Sequence, residues 1–219
     1  MNLASGMAGI YFVLEGKLHY AIYFILAAAV FDFLDGLLAR LLKVHSEIGK
    51  QLDSLADMVT FGVLPSFVVY KLLEVSFPDD FLPFLAYFIG IQSALRLAKF
   101  NVDTRQTDRF IGVPTPANAL LLCTLPFLAD QFEWAQKLIG NGYFLLGFSL
   151  FMALLLTVEL PLIALKFKNF RFSDNLFRYL VISIGIVSII PLGIAGVPFV
   201  ILGYILLSLV ESWIKPDET

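Results

Sequence analysis

Apolar runs of about 17–25 residues recur along this chain, the length that carries a helix across a bilayer. Inside hydrocarbon no water can satisfy a backbone amide or carbonyl. A continuous apolar run must therefore close its hydrogen bonds upon itself as a helix. Eight stretches are candidates: residues 1–15, 18–42, 48–73, 81–100, 114–128, 143–167, 176–192 and 194–213, of which the first and fifth are short. The sequence thus predicts an all-α, polytopic membrane helix bundle of about eight transmembrane helices, forming a single domain over residues 1–219. Only 15% of residues are charged and 59% are hydrophobic, with a mean hydropathy of +0.85, whereas soluble domains carry about 25% charged residues. Pro114 suits the first turn of its helix, while Pro161 and Pro198 are expected to kink theirs. The opening has no basic stretch or cleavage site of a secretory signal. Met1 stands almost at a helix start, so either the first helix is short or the chain is truncated there.

Charge orients the bundle. With eight helices, one set of connections holds Arg40, Lys43, Lys50, Arg96, Lys99, Arg105, Arg109, Lys166, Lys168, Arg171, Arg178 and Lys215. The other set holds only Lys17, Lys71 and Lys137. That bias predicts both termini and the connection near residue 44 on the cytoplasmic side of a bacterial inner membrane. The net charge of −3 carries no information about partners, and no basic surface of the kind that binds nucleic acid is present. Cys123 is alone, which excludes an internal disulfide and a cysteine metal cluster. His19 and His45 are too few and too separated for a histidine metal site. Any bound metal would take oxygen ligands, which suits Mg²⁺, Mn²⁺ or Ca²⁺.

Four such oxygen donors, Asp32, Asp35, Asp53 and Asp57, lie between flanks as apolar as a bilayer core. An intramembrane carboxylate costs ~2.5–3.5 kcal/mol on insertion scales and marks a functional site by default. Nearby cations are few (Arg40, Lys43, Lys50) and Glu47 offsets part of them, so one or two divalent cations would close the gap. Asp32, Asp35, Gly36 and Ala39 fall on one helical stripe, and Gly49, Asp53 and Asp57 on a second. A hairpin turning around Val44 and His45 would set Asp32 level with Asp57 and Asp35 level with Asp53. Gly36, Ala39 and Gly49 would then leave the seam nearly free of side chains, with room for a ligand and for close backbone approach.

Written out, the stretch is Asp32-x2-Asp35-Gly36-x2-Ala39-Arg40-x8-Gly49-x3-Asp53-x3-Asp57, and it resembles the signature of the CDP-alcohol phosphatidyltransferases at every defining position. The resemblance implies a two-metal site, Mg²⁺ or Mn²⁺, in which Asp32, Asp35, Asp53 and Asp57 hold the ions against a CDP-diacylglycerol pyrophosphate. It further implies that Gly36, Ala39 and Gly49 sit near the nucleotide and that Asp57 takes the proton of the acceptor alcohol. Arg40 either contacts a phosphate or reaches to the membrane interface. The chemistry is self-consistent: attack at a phosphodiester needs charge neutralised on the phosphoryl oxygens and a hydroxyl activated by a base.

A second resemblance, to the phosphatidylserine synthase branch, rests on Leu95-Arg96-Leu97-Ala98-Lys99-Phe100-Asn101 and Phe110-Ile111-Gly112-Val113-Pro114-Thr115-Pro116-Ala117. Asn2-Leu3-x2-Gly6 resembles the end of that branch's N-terminal element. It implies CDP-diacylglycerol and L-serine as substrates. Arg96, Lys99, Arg105 and Arg109 are candidates for the diphosphate or the acceptor carboxylate, Arg96 foremost, since arginine forks suit both. Each can equally be an ordinary cytoplasmic cation. Thr115 and Asn118 either bind the acceptor or cap and pack, and Glu159 either serves the site or pairs with another helix. Glycerol phosphate, inositol phosphate or choline remain alternative acceptors. A cation transporter using the aspartates as a relay is the rival from another class, without the inverted repeat that would favour it. A homodimer is compatible with the sequence.

Overall fold

The structure, a computed structural model, describes residues 1–42, 46–102, 110–163, 171–172 and 175–214. Each of the eight expected segments contains a helix. These are α1 (Asn2–Leu14), α2 (Tyr20–Leu42), a long third helix, α5 (Phe88–Val102) entered through a 3-10 turn at Leu82–Tyr87, α6 (Thr115–Gln131), α8 (Gly142–Leu155), α9 (Leu176–Leu192) and α10 (Val197–Ile214). The third comprises α3 (Glu47–Asp57), a π-helical segment (Met58–Val63) and α4 (Leu64–Ser76). A short helix, α7 (Glu133–Gly140), was not expected; it meets α8 at a bend of 83°. Three stretches, Tyr20–Ala39, Glu47–Ser76 and Leu176–Ile214, are long and apolar enough to cross a membrane, and the bent pair α7 and α8 makes a fourth if it counts as one span. Large apolar side chains face outward on them, Val187 and Ile190 among the most exposed. This is an integral membrane protein of the all-α class.

The helices pack through small contacts rather than through expulsion of water, as expected where lipid is as apolar as leucine. Helix α1 lies along both α2 and the long third helix. A Cβ on Gly6 would collide with Thr60, and one on Gly9 would come 2.7 Å from Leu64. The fully buried Val13, Ala21, Ile25, Phe61, Leu64, Val68 and Cys123 fill the space among α1, α2, α4 and α6. Gly62 faces Ser93 of α5 closely, with 2.7 Å left for a Cβ.

The π-segment has a local cause. Pro65 brings no N–H to the carbonyl four residues before it, so the helix cannot run through regularly. It widens over Met58–Val63 instead, and Ser66 Oγ donates to the carbonyl of Gly62 at 2.6 Å. π-Turns of this kind gather at functional sites.

Other prolines act differently from expectation. Pro161 does not kink a helix: α8 ends at Leu155, and Pro161 lies in a two-residue strand, β2 (Pro161–Leu162). This strand pairs antiparallel with β1 (Phe110–Ile111). Pro198 sits in the first turn of α10, where its missing N–H is harmless. Pro114 is the residue before α6, whose first turn holds Pro116. The interior prolines of described helices are Pro126 in α6 and Pro191 in α9.

The strand pair ties the approach to α6 to the chain leaving α8. Gly112 N donates to the carbonyl of Leu160 and Val113 N to that of Leu155, both at 2.9 Å. Gly112 has φ of +74°, and a Cβ there would stand 2.8 Å from the Leu156 carbonyl and 3.2 Å from Arg96. Only glycine fits comfortably. Tyr204 of α10 donates to the carbonyl of Ile163 at 2.9 Å, and Ser208 accepts from the Ile163 amide at 3.2 Å.

Candidate active site

Helices α2 and α3 present their carboxylates to one another. One oxygen each of Asp32, Asp35 and Asp53 can be chosen so that all lie within 4.8 Å of one another. Asp32 is half-buried; Asp35 and Asp53 are exposed. The Asp32 and Asp53 carboxyls meet directly, and Asp57 lies within electrostatic reach of Asp32. Lys50, the sequence neighbour best placed to neutralise them, turns away and donates to the carbonyl of Asn101 at 2.9 Å. Ionised carboxylates accept hydrogen bonds and cannot donate them. Three in contact need something positive between them, and hard oxygen donors at this spacing suit a divalent cation.

Helix α3 is set for this task from its start. Ser46 caps it, its Oγ accepting from the Gly49 amide at 3.3 Å, with Glu47 in the first turn where the helix dipole favours an acid. Ser54, next to Asp53, accepts from Asn101 Nδ2 of α5 at 2.8 Å. Lys50 and Ser54 thus hold one face of α3 to α5 and leave Asp53 on another.

The seam is open at both of its glycines. A Cβ at Gly36 would meet nothing within 4 Å, and one at Gly49 would touch only Ser46, at 3.6 Å. Gly36 and Gly49 therefore leave space at the seam, while α1 packs against both α2 and α3. The turn around Val44 and His45 lies outside the described residues, as does Lys43. Ala39 is half-buried on the stripe, and nothing is described of the Arg40 side chain.

Asp57 is not part of the group of three. It is half-buried, and its Oδ1 accepts from Asn2 Nδ2 of α1 at 2.8 Å. Asp35 and Asp53 share the triad with Asp32, and Asp32 also faces Asp57, which stands beside the group.

The other candidate residues fall elsewhere. Arg96 is buried, and its Nη1 donates to the Leu156 carbonyl at 3.2 Å, holding the crossing next to Gly112. Gln92, one turn earlier, accepts from Thr157 Oγ1 at 2.8 Å. Lys99 is exposed at the end of α5, while Arg105 and Arg109 lie outside the described residues. Thr115 and Asn118 are buried, and both polar atoms of the Asn118 amide lack a partner among the described residues. Glu159 is exposed in the turn after α8 instead of lying inside a membrane helix. The residue that sequence reasoning passed over is Asn2. Its signal was available, since it opens the Asn2-Leu3-x2-Gly6 string, but nothing local links it to Asp57.

Comparison with known proteins agrees with this geometry. The family described as CDP-alcohol phosphatidyltransferase matches residues 1–165. The chain is 36% identical over 154 residues to the CDP-diacylglycerol–serine O-phosphatidyltransferase of Bacillus subtilis (strain 168), covering 67% of this chain and 82% of that one. It is 32% identical over 196 residues to the enzyme of the same name from Helicobacter pylori (strain J99), covering 87% and 79%. It is 33% identical over 169 residues to that of Mycobacterium tuberculosis (strain H37Rv), covering 74% and 58%.

Proposed function

Since the chain belongs to the CDP-alcohol phosphatidyltransferase family, we propose that it transfers a phosphatidyl group from CDP-diacylglycerol to L-serine, giving phosphatidylserine and CMP. The observation that carries the reading is the carboxylate triad of Asp32, Asp35 and Asp53, in a chain whose relatives bear that enzyme's name.

In this reading the triad would hold divalent metal, Mg²⁺ or Mn²⁺, as two ions, with Asp57 standing beside them as the proton acceptor. Bound metal would supply charge neutralisation at the pyrophosphate of the donor. Gly36 and Gly49 give the nucleotide room between α2 and α3. Ala39 lies one turn along the same stripe, where Arg40 would meet a phosphate. Asp57 accepts the proton of the serine hydroxyl as its oxygen attacks the phosphorus bearing the diacylglycerol. The bond from that phosphorus to the bridging oxygen breaks, and CMP leaves with the electron pair. Lys99, Arg105, Arg109, Thr115 and Asn118 are the residues proposed to receive the acceptor. Arg96 joins them as a candidate for the phosphate or the acceptor, and its bond to the Leu156 carbonyl also fixes the crossing beside Gly112. The positive-inside bias supports a cytoplasmic site in a bacterial inner membrane.

The test is CMP release from CDP-diacylglycerol by detergent-purified protein, with and without L-serine and divalent metal. Serine-dependent, metal-dependent release with phosphatidylserine as product is expected. Release driven by glycerol phosphate or inositol phosphate but not by serine would move the chain to another acceptor, and no release with any alcohol would end the reading.

A further inference from the structure

An asparagine is an awkward residue to bury in an apolar helix, because each amide atom must find a partner or lose its hydration uncompensated. Asn2 is only 3% exposed. Its Nδ2 is committed to Asp57 Oδ1 at 2.8 Å, and its Oδ1 is buried without a partner among the described residues. A carboxylate accepts but cannot donate, so the amide is forced into this orientation. The opposite one would set two oxygens against each other. The orphaned Oδ1 is the consequence, and the fold tolerates it.

The surroundings keep Asn2 in place. Thr60, three residues beyond Asp57 in the π-segment, donates from Oγ1 to the backbone carbonyl of Asn2 at 3.3 Å. One turn along α1, Gly6 lets the helix lie flush against Thr60. The side chain that grips Asp57 and the backbone beneath it are thus fixed to the same short segment.

We infer that Asn2 is a positioning residue for the transfer, holding one oxygen of Asp57 so that the other faces the incoming hydroxyl. The inference rests on the reading of Asp57 as the proton acceptor. Rotation of an unclamped carboxylate would spread its basic oxygen over several directions. Fixing it confines the proton transfer to one geometry, in which the hydroxyl proton passes to Asp57 while oxygen bonds to phosphorus and CMP departs.

The experiment is steady-state kinetics of the full chain in detergent, comparing wild type with Asn2→Leu, which keeps the branched shape but is bulkier and cannot donate, and Asn2→Ser, a smaller side chain that retains a hydroxyl donor. Asn2→Leu is expected to lower kcat about 10–100-fold while KM for CDP-diacylglycerol and the metal concentration for half-activity stay unchanged. Asn2→Ser is expected to recover part of the loss. In an Asp57→Asn background, where no base remains to orient, Asn2→Leu should cost little more. Wild-type kcat in Asn2→Leu, or a full additional loss in that background, overturns the inference. So does a change confined to KM or melting temperature, the pattern of a residue that only joins helices. If Asn2→Leu does not fold, Asn2→Ala, which also removes the donor and is smaller, carries the same comparison. A wild-type chain that releases no CMP would instead remove the functional reading beneath it.

Discussion

Asp32, Asp35 and Asp53 converge although they come from two helices, and their legibility in the sequence has a physical basis. Carboxylates are costly in an apolar segment, so their presence and their helical spacing could be read without any contact map. Asn2 could not be read that way, because its partner is 55 residues distant and one buried amide carries no spacing of its own. The tie of Arg96 to the Leu156 carbonyl was hidden in the same way, because its two ends lie 60 residues apart. At this scale the metal assignment is tested by replacing each triad member with asparagine. Asp32→Asn, Asp35→Asn and Asp53→Asn should each cut turnover by at least about 100-fold and raise the metal concentration needed for half-activity. Titrating CMP release against Mg²⁺ and Mn²⁺ measures both, and near-normal turnover in any two of the three would remove the triad from the mechanism.

Most elements were readable because twenty apolar residues in lipid leave the backbone little choice, but their ends were not. The stretch after Tyr143 stays mostly apolar past Leu155 despite Glu159 and Lys166, so hydropathy alone extends α8 to residue 167 where the structure turns the chain into β2. The π-segment was equally hidden, since it depends on how Pro65 meets a carbonyl one turn before it. The strand crossing makes its own prediction. Gly112→Ala must adopt φ near +74° and set a methyl against the Leu156 carbonyl, costing about 1–3 kcal/mol. The melting temperature in detergent should fall by about 5 °C, with donor affinity retained. An unchanged melting temperature would mean that this crossing opens freely.

For the whole molecule, the readings of class and orientation stand on different supports. The helical bundle follows from backbone chemistry, whereas sidedness follows only from where lysine and arginine fall. Cys123 makes sidedness measurable, because it is fully buried and leaves a silent background for thiol labelling. With an impermeant maleimide on intact bacterial cells, Ser46→Cys beside the carboxylates should stay unlabelled until the membrane is opened. Asp79→Cys, in the connection after α4, should label at once. The reverse pattern would turn the protein over. The bond from Arg96 to the Leu156 carbonyl also orders events in time, since its two ends lie 60 residues apart. Synthesis at about 5–20 residues per second delivers the acceptor roughly 3–12 s after the donor. A nascent chain therefore holds an arginine whose eventual acceptor is not yet made, and the crossing beside Gly112 can close only after α8 has left the ribosome.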